Sequence, residues 1–432
     1  MTARLKITEW IIGFGVLLCL SPLAIPAAIS PALLHSGYLI IIAGTLAFSI
    51  IRYKYGGDGF EYSGTFHNDI SNKKTSAYLL AIVLTGFYLF IYWYPGVLEN
   101  LIRAHDPLSE LLRGRAADQW FLYGTFYSEA ILTMGIRALI KYRSSKYHVY
   151  RTTSVILFQL VLAWLLPGIL QKFQQPEFYF SYFWPLKYDY LFPGTVDYLT
   201  AQPGRLGFFM VFWGAAMSFL ATPVLTYFYG KRWYCSWVCG CGGLAETAGD
   251  PFRHLSSPST KSWKLERMII YPILGLIILL TIILWINSIK GGELLGSISN
   301  QASQYYGFFI GSLFSGVIGV GFYPLLGTRV WCRFGCPMAA VLGIQQKLFS
   351  RFRISTNGAQ CISCGNCSTY CEMGIDVKSY AQKGENIIRA SCVGCGVCAS
   401  VCPRGVLKLE NKGTANRYNK PLTPGTTGWK IG

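Results

Sequence analysis

Histidine and acidic residues are scarce in this chain. Only five histidines, His35, His67, His105, His148 and His254, occur in 432 residues, and none lies in the middle of an apolar run. A b-type haem needs facing histidines inside a helix bundle, so no haem is expected. No G-x-G-x-x-G follows a strand-like run and no Walker motif appears, so no nucleotide site is expected either. Charged residues make up 13% of the chain, against about a quarter in soluble domains. Within that small set, 38 lysines and arginines outnumber 20 acids, for a formal net charge of +18. The basic residues flank apolar runs instead of gathering in one patch, so a nucleic-acid partner is not expected.

What fills the chain is apolar surface, with 52% hydrophobic and 16% aromatic residues. Runs long enough to cross a bilayer lie near 10–29, 32–51, 76–96, 119–140, 152–171, 205–229, 266–289 and 304–326, which predicts about eight transmembrane helices. The first run, preceded by Arg4 and Lys6 and followed by Ala27 and Ala28, also fits a signal peptide, although Pro22 and Pro26 interrupt it. Lysine and arginine alternate with the spans. Arg4, Lys6, Arg52, Lys54, Lys73, Lys74, Lys141, Arg143, Lys146, Arg151, Lys231, Arg232, Arg329, Arg333, Lys347, Arg351 and Arg353 all fall on one face. The loops near 30, 97–118, 172–204 and 290–303 are mixed or nearly uncharged. By the positive-inside rule both termini are cytoplasmic, in a multi-pass protein of the cell inner membrane that contacts anionic lipid.

All but one of the 14 cysteines fall on that inner side, where thiols stay reduced and serve as ligands more often than as disulfides. Cys19, inside the first run, reads as an inert packing residue. Near the C-terminus, Cys361, Cys364, Cys367 and Cys371 form C-x2-C-x2-C-x3-C, and Cys392, Cys395, Cys398 and Cys402 repeat it before Pro403. In a two-cluster ferredoxin each copy gives three thiolates to one 4Fe-4S cluster and its fourth to the other. Cys361, Cys364, Cys367 and Cys402 would then hold one cluster, and Cys392, Cys395, Cys398 and Cys371 the other. Paired C-x2-C units also build zinc sites, but three short gaps closed by C-x3-C, given twice, favour iron and sulfur. Glu372 stands where proline usually follows the fourth cysteine, a departure that bears on cluster potential more than on cluster presence.

A second constellation follows two of the spans. Gly230-Lys-Arg-Trp-Tyr-Cys235-Ser-Trp-Val-Cys239-Gly-Cys241 and Gly327-Thr-Arg-Val-Trp-Cys332-Arg-Phe-Gly-Cys336-Pro337 repeat glycine, arginine, an aromatic and C-x3-C at matching offsets. Such internal repeats build sites at their shared interface. Four residues apart on a helix is one face, so Cys235, Cys239, Cys332 and Cys336 are expected to offer four sulfurs to a further redox or iron-sulfur centre near the inner membrane surface. The bland alternative is a set of structural or redox-active thiols without metal. Cys241 is either a substitute ligand or a spare.

These motifs together resemble the polyferredoxin membrane family that includes NosR-type and NapH-type subunits and the related CcoG-type proteins. The likeness covers roughly residues 204–411 and is weak before them, with no NosR-kind flavin-binding domain. The C-x3-C-P pattern is complete at Cys332 to Pro337, whereas Gly240 takes the proline's place in the first copy. The resemblance implies electron transfer between a cytoplasmic donor or the quinol pool and a respiratory reductase, as a quinol dehydrogenase or other oxidoreductase subunit. Its alternative is an accessory factor supplying electrons for assembly of copper or other metal centres. Redox partner proteins, and quinol as a candidate small-molecule partner, follow from the same likeness.

The expected architecture is an α-helical polytopic membrane protein with a small C-terminal α+β two-cluster ferredoxin domain. Its parts are N-terminal transmembrane helices over 1–203, the pseudo-repeated unit over 204–354, the ferredoxin over 355–411 and a flexible tail over 412–432. Glu129, inside a span with Arg137 two turns on, is a candidate proton or quinol site, or else a packing partner for another helix. The aromatics from Phe178 to Phe192 read as an interfacial belt or, alternatively, a docking surface. His105 and Asp106 read as surface polar structure. Residues 338–354 read as an amphipathic linker helix on the membrane, with Leu342, Leu348 and Phe349 opposite Lys347, Arg351 and Arg353.

Overall fold

The apolar runs fold as helices because a chain in lipid must satisfy its backbone hydrogen bonds within each segment. A computed structural model describes residues 2–24, 30–55, 74–293 and 296–413. Pro26, Ala27, Ala28, His67, Lys73 and the tail beyond 413 lie outside the described residues. Six described helices are long and apolar enough to span a membrane: Ala3–Leu23, Ser30–Lys54, Thr75–Trp93, Lys146–Lys172, Leu206–Tyr229 and Thr260–Ile289. Helix also covers the 119–140 run and most of 304–326, which turns at 319–322. The Gln119–Lys141 helix, capped by the Asp118 carboxylate accepting from the Phe121 amide, carries Glu129, Arg137 and Lys141. The Ser297–Tyr306 helix begins polar and continues as π-helix over Gly307–Ile318. The expected eight is therefore approximate, and the shortfall traces to charge and polarity within helices that do form.

Prolines shape two of the spans. Wide π-turns at Phe158–Leu165 and Met217–Ala221 end just before Pro167 and Pro223. A proline has no amide hydrogen to donate and crowds the preceding turn, so the register widens there. The Thr222 hydroxyl donates to the Met217 carbonyl at 2.6 Å, capping an acceptor in the widened turn.

The terminal domain hangs on a two-stranded antiparallel sheet, Phe352–Thr356 against Leu407–Asn411, with Ile354 opposite Leu409. Each cysteine loop turns through a glycine at positive φ, Gly365 at 84° and Gly396 at 83°, just before the short helices Asn366–Thr369 and Val397–Ser400. No side chain adopts that backbone cheaply, which is why glycine separates the second and third cysteines of both copies. One apolar core runs without a seam from Phe183, Tyr234 and Ile270 through Met338 and Leu342 to Phe352, Val393 and Val397. The helix Pro337–Phe349 is not the membrane-surface linker that its pattern suggests. Leu342 is buried and Leu348 exposed, and Gln346 donates to the carbonyls of Arg389 and Cys392 while accepting from the Lys231 amide. The helix is a wedge between the membrane half and the terminal domain.

Candidate functional site

Two small cavities sit in the terminal domain. One is lined by Cys361, Cys364, Cys367 and Cys402, the other by Cys371, Cys392, Cys395 and Cys398. Each takes three cysteines from one spacing copy and one from the other. Burial pushes the Cys371 thiol up to about 12 and the Cys367 thiol up to about 11. Such thiols ionise only when something cationic joins them, as iron does. Four convergent soft donors around a small apolar hollow fit a cubane.

The C-x3-C pairs do not lie on single helix faces, contrary to the expectation from i,i+4 spacing. Each pair straddles a helix break. Cys235 closes the short helix Arg232–Cys235, and Cys239 precedes the helix Gly240–Glu246 with an extended ψ of 131°. Cys332 lies in the π-turn Trp331–Gly335, and Cys336, ψ 115°, precedes Pro337–Phe349. The repeat is thus carried by the backbone as well as the letters, and Gly230 and Gly327 open both copies at positive φ, 70° and 91°. The sulfurs are near enough to act on one another electrostatically: Cys336 with Cys332, Cys239 and Cys235, and Cys332 with Cys239. Cys241 lies close enough to Cys239 to act on it electrostatically. The first motif packs along the Lys146–Lys172 helix. The Trp237 carbonyl accepts from the Ser154 hydroxyl at 2.9 Å and the Val238 carbonyl from the Gln159 amide at 3.1 Å. Gln159 is eight residues along its helix from Arg151, about 12 Å at 1.5 Å per residue.

A buried ionic network joins this motif to the terminal domain. Arg329 donates to the Cys235 carbonyl at 3.0 Å and reaches the Cys332 sulfur at 3.7 Å. The same guanidinium pairs with Glu246 at 2.8 Å and with Glu372 at 3.0 Å. Arg253 binds Glu372, Glu246 and Asp250 at 2.6, 2.7 and 2.9 Å. Arg151 binds Glu246 and donates to the Cys395 carbonyl. Burial alone would raise the Glu246 pKa, but Arg151, Arg253 and Arg329 win and hold it at about 2. Donor atoms of Glu246, Glu372 and Cys395 lie within 4.8 Å of one another, yet guanidiniums already occupy both carboxylates. Sequence reasoning missed this network. Its one signal was Glu372 breaking the Cys-Pro pattern.

The aromatic segment from Phe178 to Phe192 is neither a belt nor an exposed docking face. It folds back into the bundle, with Phe183 fully buried and its ring 5.6 Å from Tyr234. The Trp184 amide donates to the Ser218 hydroxyl at 3.0 Å and its indole to Thr281 at 3.2 Å. Non-helical backbone at membrane depth is tolerated where protein or a cavity surrounds it. Here it walls a chamber of about 780 Å³ whose floor includes Cys239, Gly240 and Cys241.

Other candidates fall away from that centre. Glu129 accepts from Thr133 at 2.9 Å and lies toward Tyr38 and Cys19. Arg137, expected near it, instead binds Asp250 at 3.0 Å. Cys19 is a buried packing thiol near the Leu34 carbonyl. His105 is fully buried, not surface structure: Tyr38 and the Leu101 carbonyl hold its two ring nitrogens at 2.7 and 2.8 Å.

Comparison with known proteins gives three matches. A family described as a 4Fe-4S dicluster domain matches residues 353–403. A family described as a 4Fe-4S binding domain matches twice, over 211–258 and 308–355, once around each C-x3-C motif. The protein of Escherichia coli (strain K12) named "Putative electron transport protein YccM" is 28% identical over 186 residues, covering 39% of this chain and 49% of that protein. The match thus spans about half the length of that curated relative. No solved structure matches. These likenesses mark 4Fe-4S binding segments in the terminal domain and around both C-x3-C motifs, in a chain with six helices long and apolar enough to cross a membrane.

Proposed function

We propose that the protein conducts electrons between two cubanes in its terminal domain and a third iron-sulfur centre held inside the membrane half. Cys361, Cys364, Cys367 and Cys402 bind one cluster, Cys371, Cys392, Cys395 and Cys398 the second, and Cys235, Cys239, Cys332 and Cys336 the third. Clusters of this kind pass electrons one at a time. The chain's own residues fix the distance between centres and exclude water from the gap. Arg329 carries the reading: one fully buried guanidinium touches the Cys332 sulfur, the Cys235 carbonyl and the carboxylate that follows Cys371. The terminal domain faces the cytoplasm of an inner-membrane protein, on the lysine and arginine distribution. There it meets a soluble redox partner, with quinol or a respiratory reductase completing the circuit.

Iron and acid-labile sulfide analysis of the anaerobically prepared full chain tests the count. Three cubanes give about twelve iron atoms per chain. Serine at Cys235, Cys239, Cys332 and Cys336 together should remove about four of them and leave the terminal pair. Zinc in place of iron rejects the clusters, and unchanged iron in the four-serine variant rejects the third centre.

A further inference from the structure

The chamber on Cys239 and Cys241 has two ends of different character. Its floor is the break between the two short helices of the first C-x3-C motif, beside Tyr127, Gln159 and Tyr234. Its walls are aromatic, among them Phe121, Trp164, Phe180 and Tyr182. Its rim carries Arg115, Asp118 and Glu177, on the two loops that flank the Gln119–Lys141 and Lys146–Lys172 helices; Arg115 and Glu177 are exposed.

The Lys146–Lys172 helix is a ruler for this arrangement. Tyr147 donates to the Gly394 carbonyl at 2.7 Å and Arg151 to that of Cys395, so the terminal domain sits at its first turns. Gln171 lines the chamber at the other end, twenty residues from Arg151 or about 30 Å, the thickness of a bilayer's hydrocarbon. The thiol floor, level with Gln159, lies between. Electrons arriving from the terminal domain would therefore meet a chamber that opens on the opposite face. At about 780 Å³, it falls within the ~300–1,000 Å³ of ordinary small-molecule sites.

We propose that this chamber binds a water-borne, planar aromatic two-electron carrier, which enters from the face opposite the terminal domain and is reduced at the thiol floor. The inference rests on the electron-conduit reading above. Flat aromatic walls select a flat π-system, and a charged rim built from two loops admits it from water, not sideways from lipid. The carrier takes two electrons, delivered singly through the iron-sulfur chain from a one-electron donor at the terminal domain. Two protons reach its ring heteroatoms from water through the mouth. The site is separate from Glu129: Tyr127 and Ser128 line the chamber, whereas Glu129 turns toward Thr133 and Cys19.

The test uses the full chain in lipid nanodiscs, with Ala163→Cys placing a reporter thiol in the chamber wall. Modification of position 163 by a small charged methanethiosulfonate is read by peptide mass spectrometry, with riboflavin as the probe. Protection by about tenfold is expected at about ten times the riboflavin Kd, with none from ubiquinone-1. In sealed vesicles the reagent should act only from the face opposite the terminal domain. Ser128→Cys gives the same readout from the facing wall if Ala163→Cys does not fold. Gly124→Trp, at a position where an added Cβ meets only Trp164 at 3.6 Å, should fill the chamber and abolish riboflavin binding while iron content stays. Unprotected modification, equal protection by ubiquinone-1, or access only from the terminal-domain face overturns the proposal. Each is read with iron intact, whereas loss of the clusters themselves would overturn the conduit reading instead.

Discussion

Glu372 is the residue at which sequence and structure say most to each other. A carboxylate in place of proline after Cys371 looked like a matter of cluster potential, but it is a strut: both its oxygens are buried against Arg253 and Arg329. Removing one partner of a buried ion pair costs about 3–5 kcal/mol, because the other charge is stranded. Glu372→Gln should therefore lower the thermal unfolding temperature while iron per chain is unchanged; an unaltered melt would show that the pair is dispensable. Glu246 adds a pH dependence. Its folded pKa, about 2, lies below the ~4.3 of an unfolded glutamate, so the unfolded chain binds the extra proton between those values. Stability from this group is full above about pH 4.5 and drains away as pH falls toward about 2. Thermal melts of cluster-free protein across that window should fall for the wild type and stay flatter for Glu246→Gln, and parallel curves would count against the assignment. Neither partner was legible in advance, since Arg151, Glu246, Arg253, Arg329 and Glu372 are scattered over more than 200 positions and only the fold brings them together.

Among the elements, the two C-x3-C segments teach the plainest lesson. Spacing of four suggested one helix face, but Gly230 and Gly327 turn the chain first, and Cys239 and Cys336 sit where one helix has ended and the next begins. Spacing alone does not show that the backbone turns between the two cysteines of each motif. The first segment depends on close approach. A Cβ on Gly242 would come within 2.0 Å of the Cys235 carbonyl oxygen and 3.0 Å of Arg329. Backbone cannot yield by that much without moving, so Gly242→Ala should displace Cys235 and cost the membrane centre its iron, about four atoms per chain, while the terminal clusters stay. Full iron in that variant would mean that the centre does not depend on this segment. The aromatic segment from Phe178 to Phe192 departs from its pattern for a different reason. A belt and a re-entrant plug have the same composition, and the partners that decide between them, Ser218, Tyr234 and Thr281, come from later helices.

For the whole molecule, the membrane class and the 4Fe-4S segments were legible because each rests on a local rule, run length in one case and cysteine spacing in the other. The joint between the two halves was not, and its chemistry sets the last prediction. A basic chain with a terminal redox domain invites the picture of a domain held to the membrane half by surface charge. Such a joint would loosen in salt, since the Debye length falls to about 3 Å at 1 M. Here the side chains of Arg253, Arg329, Glu246 and Glu372 are at most 1% exposed, and the apolar core continues across the joint through Met338, Leu342 and Phe352. Ions in solution cannot reach charges so enclosed. Limited proteolysis across residues 350–356 should therefore proceed at the same slow rate at low salt and at about 1 M salt. Glu372→Gln should speed cleavage at both. If salt alone speeds cleavage of the wild type, the joint is an open electrostatic contact, and the fixed geometry between Cys371 and Cys332 that the electron path requires is lost with it.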